Sequence, residues 1–314
     1  MSFAFVFPGQ GSQSVGMLGA LGGAFEVVRA TFAEASAVLG FDLWRLVSEG
    51  PQEALNATER TQPAMLAAGV ATWRAWRTQG GASPAVLSGH SLGEFTALVC
   101  GESLDFRAAL ELVRFRGQAM QEAVPAGTGA MAAILGLTDE AVEAACREAA
   151  QGAVVEAANF NSPGQVVIAG ERAAVERAIE AAKARGAKRA VVLPVSVPSH
   201  TSLMRGAGER LGERLRALEV RRPRIGYVSA VDAAAHSEPD DIRDVLVRQI
   251  SSPVRWPQTL RAVSAGAVAQ VIECGPGKVL TGLNRRIERR ADLSFLALED
   301  PASIATALTA TKGR

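Results

Sequence analysis

The strongest sign of chemistry in the sequence is a serine between two glycines, in the segment Gly89-His-Ser-Leu-Gly93. An apolar stretch, Ala85–Leu87, precedes it, and a helix is predicted over Glu94–Val99. A serine on a sharp strand-to-helix turn has a strained backbone and an exposed hydroxyl, and the glycines allow the close chain approach that such a turn needs. The helix N-terminus also offers N–H groups to a developing oxyanion. The pattern indicates Ser91 as a nucleophile, with an ordinary glycine-rich turn as the alternative.

A serine nucleophile needs a base near neutral pH, and the chain has three histidines. His90 is the neighbour of Ser91, and adjacent side chains on a sharp turn diverge. His236 lies in a polar segment, residues 232–240, that is typical of an exposed loop, so a solvated side chain is expected there. His200 follows a predicted strand at a junction that can face a cleft. We therefore rank His200 first, with a purely structural histidine as the open alternative.

One arginine falls on an apolar helix face. A helix predicted over Asp105–Ala123, at about 100° per residue, places Arg116 among Ala109, Leu112, Val113, Ala119, Met120 and Ala123. A buried guanidinium needs a partner because burying an unpaired charge is costly. That partner is either a buried carboxylate, such as Glu94 or Glu111, or a substrate carboxylate held by two parallel hydrogen bonds. Periodicity leaves both interpretations open.

Other segments argue against a dinucleotide site, a phosphate-binding loop and a lipase. The segment Gly127–Ala132 matches G-x-G-x-x-A, but a strand is predicted after it, and Gly275–Lys278 lacks the Ser or Thr that completes a phosphate-binding loop. A lipase-type hydrolase orders its triad Ser, acid, His, and no HGGG-type segment is present. A dinucleotide site and a lipase are therefore disfavoured.

Composition narrows the class of protein further. The chain has 314 residues, 48% hydrophobic and 21% charged, which argues against disorder. Its net charge of +1 provides no global field for nucleic acid or an anionic membrane. Three separated cysteines and three histidines disfavour disulfides and a metal centre. Without a signal-peptide pattern or an apolar run of ~18 residues, we expect a soluble cytoplasmic protein.

The elements that must position these residues predict an α/β fold. The chain opens with a strand (Phe3–Phe7), a glycine-rich turn and a helix from about Val15. Strand, helix and strand alternate again at Val268–Glu273, Val279–Arg290 and Phe295–Leu298. Such alternation favours a mostly parallel sheet covered by helices. We predict a large hydrolase-like domain from residues 1–125 and 197–314, which carries the nucleophile.

The order of predicted elements in the middle of the chain indicates a smaller inserted unit. Its order is β-α-β-β-α-β, that of a ferredoxin-like subdomain over residues 126–196. The predicted strands are Ala130–Leu135, Val154–Ala158, Gln165–Ala169 and Ala190–Val195, with helices Asp139–Ala150 and Arg172–Arg185 and a turn at Asn161–Gly164.

An ordered series of motifs resembles the malonyl-CoA:acyl carrier protein transacylase family. The matching segments are Phe7–Gln13 (Phe-Pro-Gly-Gln-Gly-Ser-Gln), Gly89–Glu94, Arg116–Met120, Phe160–Gly170, Val197–His200, Gln249 with Pro253, Val254 and Trp256, and Gly275–Leu283. Each motif is weak alone, but the ordered set is highly specific.

The resemblance implies roles for individual residues. Ser91 would attack the malonyl thioester, with His200 as general base and then general acid. The backbone N–H groups of Gln10 and Leu92 would form the oxyanion hole. Gln249 stands where the family orients the histidine with a backbone carbonyl, which gives a Ser–His dyad without an acid.

The remaining implied roles concern the substrate and its partners. Arg116 would bind the malonyl carboxylate, and His90, Asn159 and Asn161 match motif positions near the site. The implied substrates are malonyl-CoA and the phosphopantetheine thiol of an acyl carrier protein, with no metal or redox cofactor, and we expect a monomer. Two basic clusters, at residues 285–290 and 221–224, are candidates for docking an acidic carrier.

The implied pathway is fatty acid biosynthesis, and other functions remain open. A free-standing acyltransferase of a polyketide synthase would share these motifs. A serine thioesterase or hydrolase, and a non-catalytic binding protein, are more distant alternatives.

Overall fold

The computed structural model describes residues 2–125, 127–195 and 197–312. Within these ranges the chain forms a mixed α/β fold with a parallel sheet and a second, largely antiparallel sheet, which agrees with the predicted fold class. Residues 126 and 196, where the predicted inserted unit begins and ends, lie outside the described residues. The division into two domains stays a prediction.

The parallel sheet contains the strands β1 (Ser2–Phe7), β2 (Val86–Gly89), β7 (Gly226–Val228), β9 (Val268–Glu273) and β10 (Ser294–Ala297). Their order is β10-β9-β1-β2-β7. Side chains alternate between the two faces of a strand, so Phe3 and Phe5 pack on one face of the sheet while Ala4 and Val6 pack on the other. Because both faces of β1 are apolar, helices must cover the sheet on both sides.

The helices divide between the two faces accordingly. The core on the side of Phe3 and Phe5 contains buried residues of ten helices: α1 (Gly19–Ala24), α2 (Glu26–Leu39), α3 (Leu43–Glu49), α4 (Gln52–Asn56), α5 (Thr58–Thr78), α6 (Gly93–Cys100), α7 (Phe106–Glu122), α10 (Arg205–Ala217), α11 (Pro239–Gln249) and α14 (Pro301–Thr311). The opposite face packs on α12 (Trp256–Val263) and α13 (Val279–Ile287). Across the part of the chain that the structure describes, no helix combines the length and apolarity needed to cross a membrane.

The second sheet contains β3 (Gly129–Leu135), β4 (Val155–Ser162), β5 (Gln165–Glu171), β6 (Arg189–Val192) and β8 (Val254–Arg255), in the order β6-β3-β5-β4-β8. The helices α8 (Asp139–Ala150) and α9 (Arg172–Ala184) cover one face. The chain order from β3 to β6 is the predicted βαββαβ. The short strand β8, which was not predicted, pairs in parallel with β4 and extends this sheet with residues from outside 126–196.

Some predicted element boundaries are wrong for local reasons. The helix expected from about Val15 begins only at Gly19, because Leu18 adopts φ 58° in a turn. The predicted helix over residues 279–290 ends at Ile287, and the strand expected to reach residue 195 ends at Val192. The turn expected at residues 161–164 is shorter, because β4 continues to Ser162.

Candidate active site

A cavity of about 550 Å³ opens where the loops after β1 and β2 meet the second sheet and the start of α13. In the parallel sheet Phe7 pairs with Gly89, so these two loops begin side by side. The lining includes the predicted site residues Gln10, His90, Ser91, Leu92, Arg116, Asn159, Asn161 and His200. Gln249 lies behind this lining and is fully buried.

Ser91 occupies the turn between β2 and α6 with φ 51°, a left-handed conformation that is uncommon for a residue with a side chain. Close packing forces this turn. A Cβ on Gly89 would lie 1.9 Å from the carbonyl carbon of Gly93, and a Cβ on Gly93 would lie 2.1 Å from the carbonyl oxygen of Phe7. The two glycines therefore let the chain reverse directly above β1 and hold Ser91 at the cavity wall.

The imidazole of His200 lies against the Ser91 hydroxyl, with Nε2 2.8 Å from Oγ. Its other nitrogen, Nδ1, lies 2.8 Å from the carbonyl oxygen of Gln249 and 3.1 Å from that of Ser252. Carbonyl oxygens only accept hydrogen bonds, so Nδ1 carries the proton and Nε2 is free to accept the Ser91 proton. Burial, followed by the nearby Arg116 cation, lowers the pKa of His200 to about 3, so the imidazole is neutral.

Arg116 projects from α7 and is 1% exposed. Its Nη1 donates to Gln62 Oε1 at 3.0 Å, and its Nη2 donates to Gln249 Oε1 at 2.9 Å and to Ser91 Oγ at 3.3 Å. Its Nε has no hydrogen-bond partner among the described residues. Burial lowers the pKa of Arg116 to about 10 while Glu94 opposes the shift, so the side chain is a cation at neutral pH.

The contacts of Arg116 bear on the direct ion pair that was one of its two interpretations. No ion pair within the described ranges includes Arg116, so the direct pairing with Glu94 or Glu111 is absent there. Neutral amide oxygens hold the guanidinium instead. The cation is thus positioned at the cavity without a protein carboxylate in direct contact with it.

The two residues expected to form an oxyanion hole flank the serine. Gln10 follows β1 and Leu92 follows Ser91, and both line the cavity. Neither backbone N–H donates to a protein acceptor in the part of the chain that the structure describes. Both donors are therefore available to a bound oxygen.

The other three motif residues also lie at the cavity. His90 Nε2 lies 2.9 Å from Asn161 Oδ1, and burial lowers the pKa of His90. Asn159 and Asn161 reach the cavity from β4. His90 thus points toward the second sheet and away from the base position beside Ser91.

Sequence reasoning missed a polar network behind the cavity. The Gln249 side chain donates from Nε2 to Glu94 Oε1 at 2.8 Å and to the Ser91 carbonyl oxygen at 2.9 Å. The Tyr227 hydroxyl donates to the other Glu94 oxygen. Burial raises the pKa of Glu94, and the hydrogen bonds from Tyr227 and Gln249 oppose this shift. Gln249 and Glu94 had each been named from the sequence, but not as members of one network, and the signal for Gln62 was a polar residue inside the long helix α5.

The environments of His236 and of the basic clusters are also visible. The prediction of a solvated His236 is wrong, because its side chain is 14% exposed and lies 3.1 Å from Asp232 Oδ1. In the candidate basic clusters, Arg221, Arg222 and Arg224 form ion pairs with Glu219, Glu238 and Glu102, and Arg290 forms one with Asp292. Across residues 2–125, 127–195 and 197–312, no group of His, Cys, Asp and Glu is arranged to hold a metal ion.

The fold and the site together define a class. A parallel α/β sheet that presents a left-handed serine to a neutral histidine is typical of enzymes that transfer or hydrolyse acyl groups. The chain belongs to the acyl transferase domain family, whose sequence profile matches residues 4–295, and it is an acyltransferase.

Similar proteins cover essentially the whole chain. The malonyl CoA-acyl carrier protein transacylase of Escherichia coli K12 is 54% identical over 306 residues, which is 98% of each chain. That of Bacillus subtilis is 42% identical over 310 residues, covering 98% of this chain and 97% of the relative.

Solved structures agree in fold. An acyl carrier protein S-malonyltransferase from Vibrio cholerae has a TM-score of 0.94 at 57% identity, covering 98% of this chain and all of the other. A malonyl-transacylase solved in complex with a type II polyketide synthase acyl-carrier protein has a TM-score of 0.97 at 54% identity, covering 99% of this chain and all of the other.

Proposed function

We propose that this acyltransferase moves the malonyl group from malonyl-CoA to the phosphopantetheine thiol of an acyl carrier protein, for fatty acid biosynthesis, through a malonyl ester on Ser91. The observation that carries the proposal is the contact of one hydroxyl with two groups: Ser91 Oγ lies 2.8 Å from a neutral imidazole and 3.3 Å from a buried guanidinium. The first group suits a base, and the second suits a substrate that carries its own carboxylate.

In the first half-reaction, His200 Nε2 accepts the Ser91 proton while Oγ attacks the thioester carbonyl. The backbone N–H groups of Gln10 and Leu92 stabilise the oxyanion. Collapse of the intermediate breaks the C–S bond, and the imidazolium returns its proton to the CoA thiolate. The second half-reaction is the reverse with a new thiol: His200 takes the proton of the carrier thiol, the thiolate attacks the ester, and Ser91 regains its proton.

Arg116 selects the acyl group. A malonyl carboxylate can accept two charge-assisted hydrogen bonds from the guanidinium, whose Nε lacks a protein partner. An acetyl group offers nothing to this cation, and a site with unpaired buried polar groups discriminates strongly against such an analogue.

The basic residues of α13 are the better candidates for meeting the carrier. Arg286 donates from Nη1 to Gln165 Oε1 at 2.8 Å, and Gln165 lines the cavity. The arginines at 221, 222 and 224 are instead engaged in ion pairs. A polyketide carrier protein is the second candidate acceptor, because the relative solved with such a carrier is 54% identical to this chain.

Mass spectrometry of the intact protein after exposure to malonyl-CoA tests the proposal. We expect a malonyl adduct that disappears when carrier protein is added, with malonyl-carrier as the product. Ser91→Ala should form no adduct, whereas Ser199→Ala, a control at a second serine of the cavity lining, should retain it. Free malonate accumulating without carrier would indicate a hydrolase, and no adduct at all would indicate a binding protein.

A further inference from the structure

Arg116 contacts the nucleophile itself as well as the space for the substrate. One nitrogen, Nη2, donates to Ser91 Oγ at 3.3 Å, while the same oxygen lies 2.8 Å from His200 Nε2. A lone pair of the hydroxyl oxygen is therefore engaged by a cation before any substrate arrives. A hydrogen bond to an attacking lone pair reduces its nucleophilicity.

The charge of Arg116 also opposes the proton transfer. When His200 accepts the Ser91 proton, an imidazolium forms beside a guanidinium, and these side chains are 4% and 1% exposed. Like charges in a buried site repel strongly because little solvent screens them. In the free protein this effect is already present, since Arg116 adds to burial in lowering the pKa of His200.

The protein groups around this pair do not cancel the charge locally. His200 Nδ1 faces two neutral carbonyl oxygens, and Arg116 faces the neutral amide oxygens of Gln62 and Gln249. The carboxylate of Glu94 is separated from Arg116 by the Gln249 amide, which bonds to both. The place of a direct counter-ion at Arg116 is left to the substrate.

We propose that the carboxylate of the substrate switches on the Ser91–His200 pair: by binding Arg116 it draws Nη2 away from Ser91 and cancels the positive charge beside the forming imidazolium. This inference rests on the malonyl transfer proposed above and deepens it. Discrimination against acetyl groups is then expressed in the rate of acylation as well as in binding. With a substrate that has no carboxylate, Ser91 Oγ still accepts a hydrogen bond from Arg116, and the Arg116 charge still opposes proton transfer to His200.

The test supplies the missing carboxylate separately. Acetyl-CoA together with formate offers the two parts of a malonyl group as independent molecules. We expect formate to raise the rate constant of Ser91 acetylation at saturating acetyl-CoA by about tenfold, because the anion both releases Ser91 Oγ from Arg116 and offsets the charge beside the forming imidazolium. Formamide, which is neutral and of the same size, should have no effect at the same ionic strength.

A variant provides the second readout. Arg116→Met removes the charge and the donor while keeping an unbranched side chain that can remain buried. It should acetylate Ser91 at least as fast as the wild type without formate, and it should not respond to formate. If formate leaves wild-type acetylation unchanged, or if folded Arg116→Met acetylates more slowly than the wild type, the proposal is wrong. Should the variant not fold, the comparison of formate with formamide decides alone.

Wild-type protein with malonyl-CoA, run in the same assay, separates the two proposals. A malonyl adduct without formate activation of acetylation overturns only the switch. Absence of the malonyl adduct overturns the proposed function itself.

Discussion

Replacing Gln62 with glutamate should convert the cation of the site into an occupied ion pair. Gln62 Oε1 accepts from Arg116 Nη1 at 3.0 Å, and both side chains are 1% exposed. A neutral hydrogen bond contributes roughly 0.5–1.5 kcal/mol, whereas one between charged groups contributes about 1.5–3 kcal/mol. In Gln62→Glu the substrate carboxylate must compete with a protein carboxylate already bound to the same guanidinium and is repelled by it.

The expected cost to malonyl transfer follows from this difference. We expect a loss of about 1–1.5 kcal/mol in transition-state stabilisation, which corresponds to a decrease of roughly 5- to 13-fold in kcat/KM for malonyl-CoA. Transfer from acetyl-CoA should not decrease, because an acetyl group has no carboxylate to be displaced. The ratio of kcat/KM for malonyl-CoA to that for acetyl-CoA should therefore decrease by at least the same factor.

The assay is the rate of Ser91 acylation by each thioester, followed by mass spectrometry. Gln258→Glu is the matched control, because it makes the same change at an exposed position in the first turn of α12, where a negative charge is tolerated. Unchanged malonyl transfer in Gln62→Glu, or equal losses with both thioesters, would refute the role of Arg116 as a carboxylate clamp.

Three further outcomes are expected. Because burial and Arg116 lower the pKa of His200 to about 3, the base stays neutral well below pH 6.5. The pH profile of kcat/KM for malonyl-CoA acylation should therefore show no inflection near 6.5 between about pH 5 and 8. An inflection there would contradict a buried base. Burial raises the pKa of Glu273 to about 7 from 4.5, so the folded protein binds this proton more tightly than the unfolded chain does. The contribution of the proton to stability is complete below about pH 4.5 and is lost as the pH rises through 7. About 3 kcal/mol of unfolding free energy should disappear over that window, and denaturant titrations should show a shallower pH dependence for Glu273→Gln. Finally, Gly93→Ala should lower the unfolding free energy by roughly 1–3 kcal/mol, because its Cβ would lie 2.1 Å from a backbone oxygen. The control Gly206→Ala, in open space on α10, should not destabilise the protein. Equal stabilities of the two variants would contradict a turn that requires glycine.

The fold class was predictable because it depends on local patterns. Strands that are apolar on both faces, such as β1, require helices on both sides of a sheet, and the alternation of elements indicates parallel pairing. The predictions were weakest where a turn or a distant partner sets the boundary. Leu18 delays the first helix, and the two-residue strand β8 exists only because β4 offers it an edge.

The residue types of the site were readable for the same reason. A serine between close-packed glycines and an arginine on an apolar helix face both leave a trace in a short window of sequence. Ser91 and Arg116 could be named without knowing what surrounds them. Gln62 could not, since a single buried amide has no periodic signature, and Glu94 could be named only as one of two candidate partners of Arg116.

Contacts between distant segments were decided by the tertiary structure alone. Ser91 Oγ meets His200 across 109 residues of sequence, and Arg116 meets the Gln249 amide across 133. Whether Arg116 pairs with a protein carboxylate or with neutral oxygens depends on which side chains the folded helices bring within 3 Å, and hydrogen-bond energy falls away steeply beyond that distance. The groups that surround the Arg116 cation are therefore set by tertiary packing, and the local sequence pattern could not determine them.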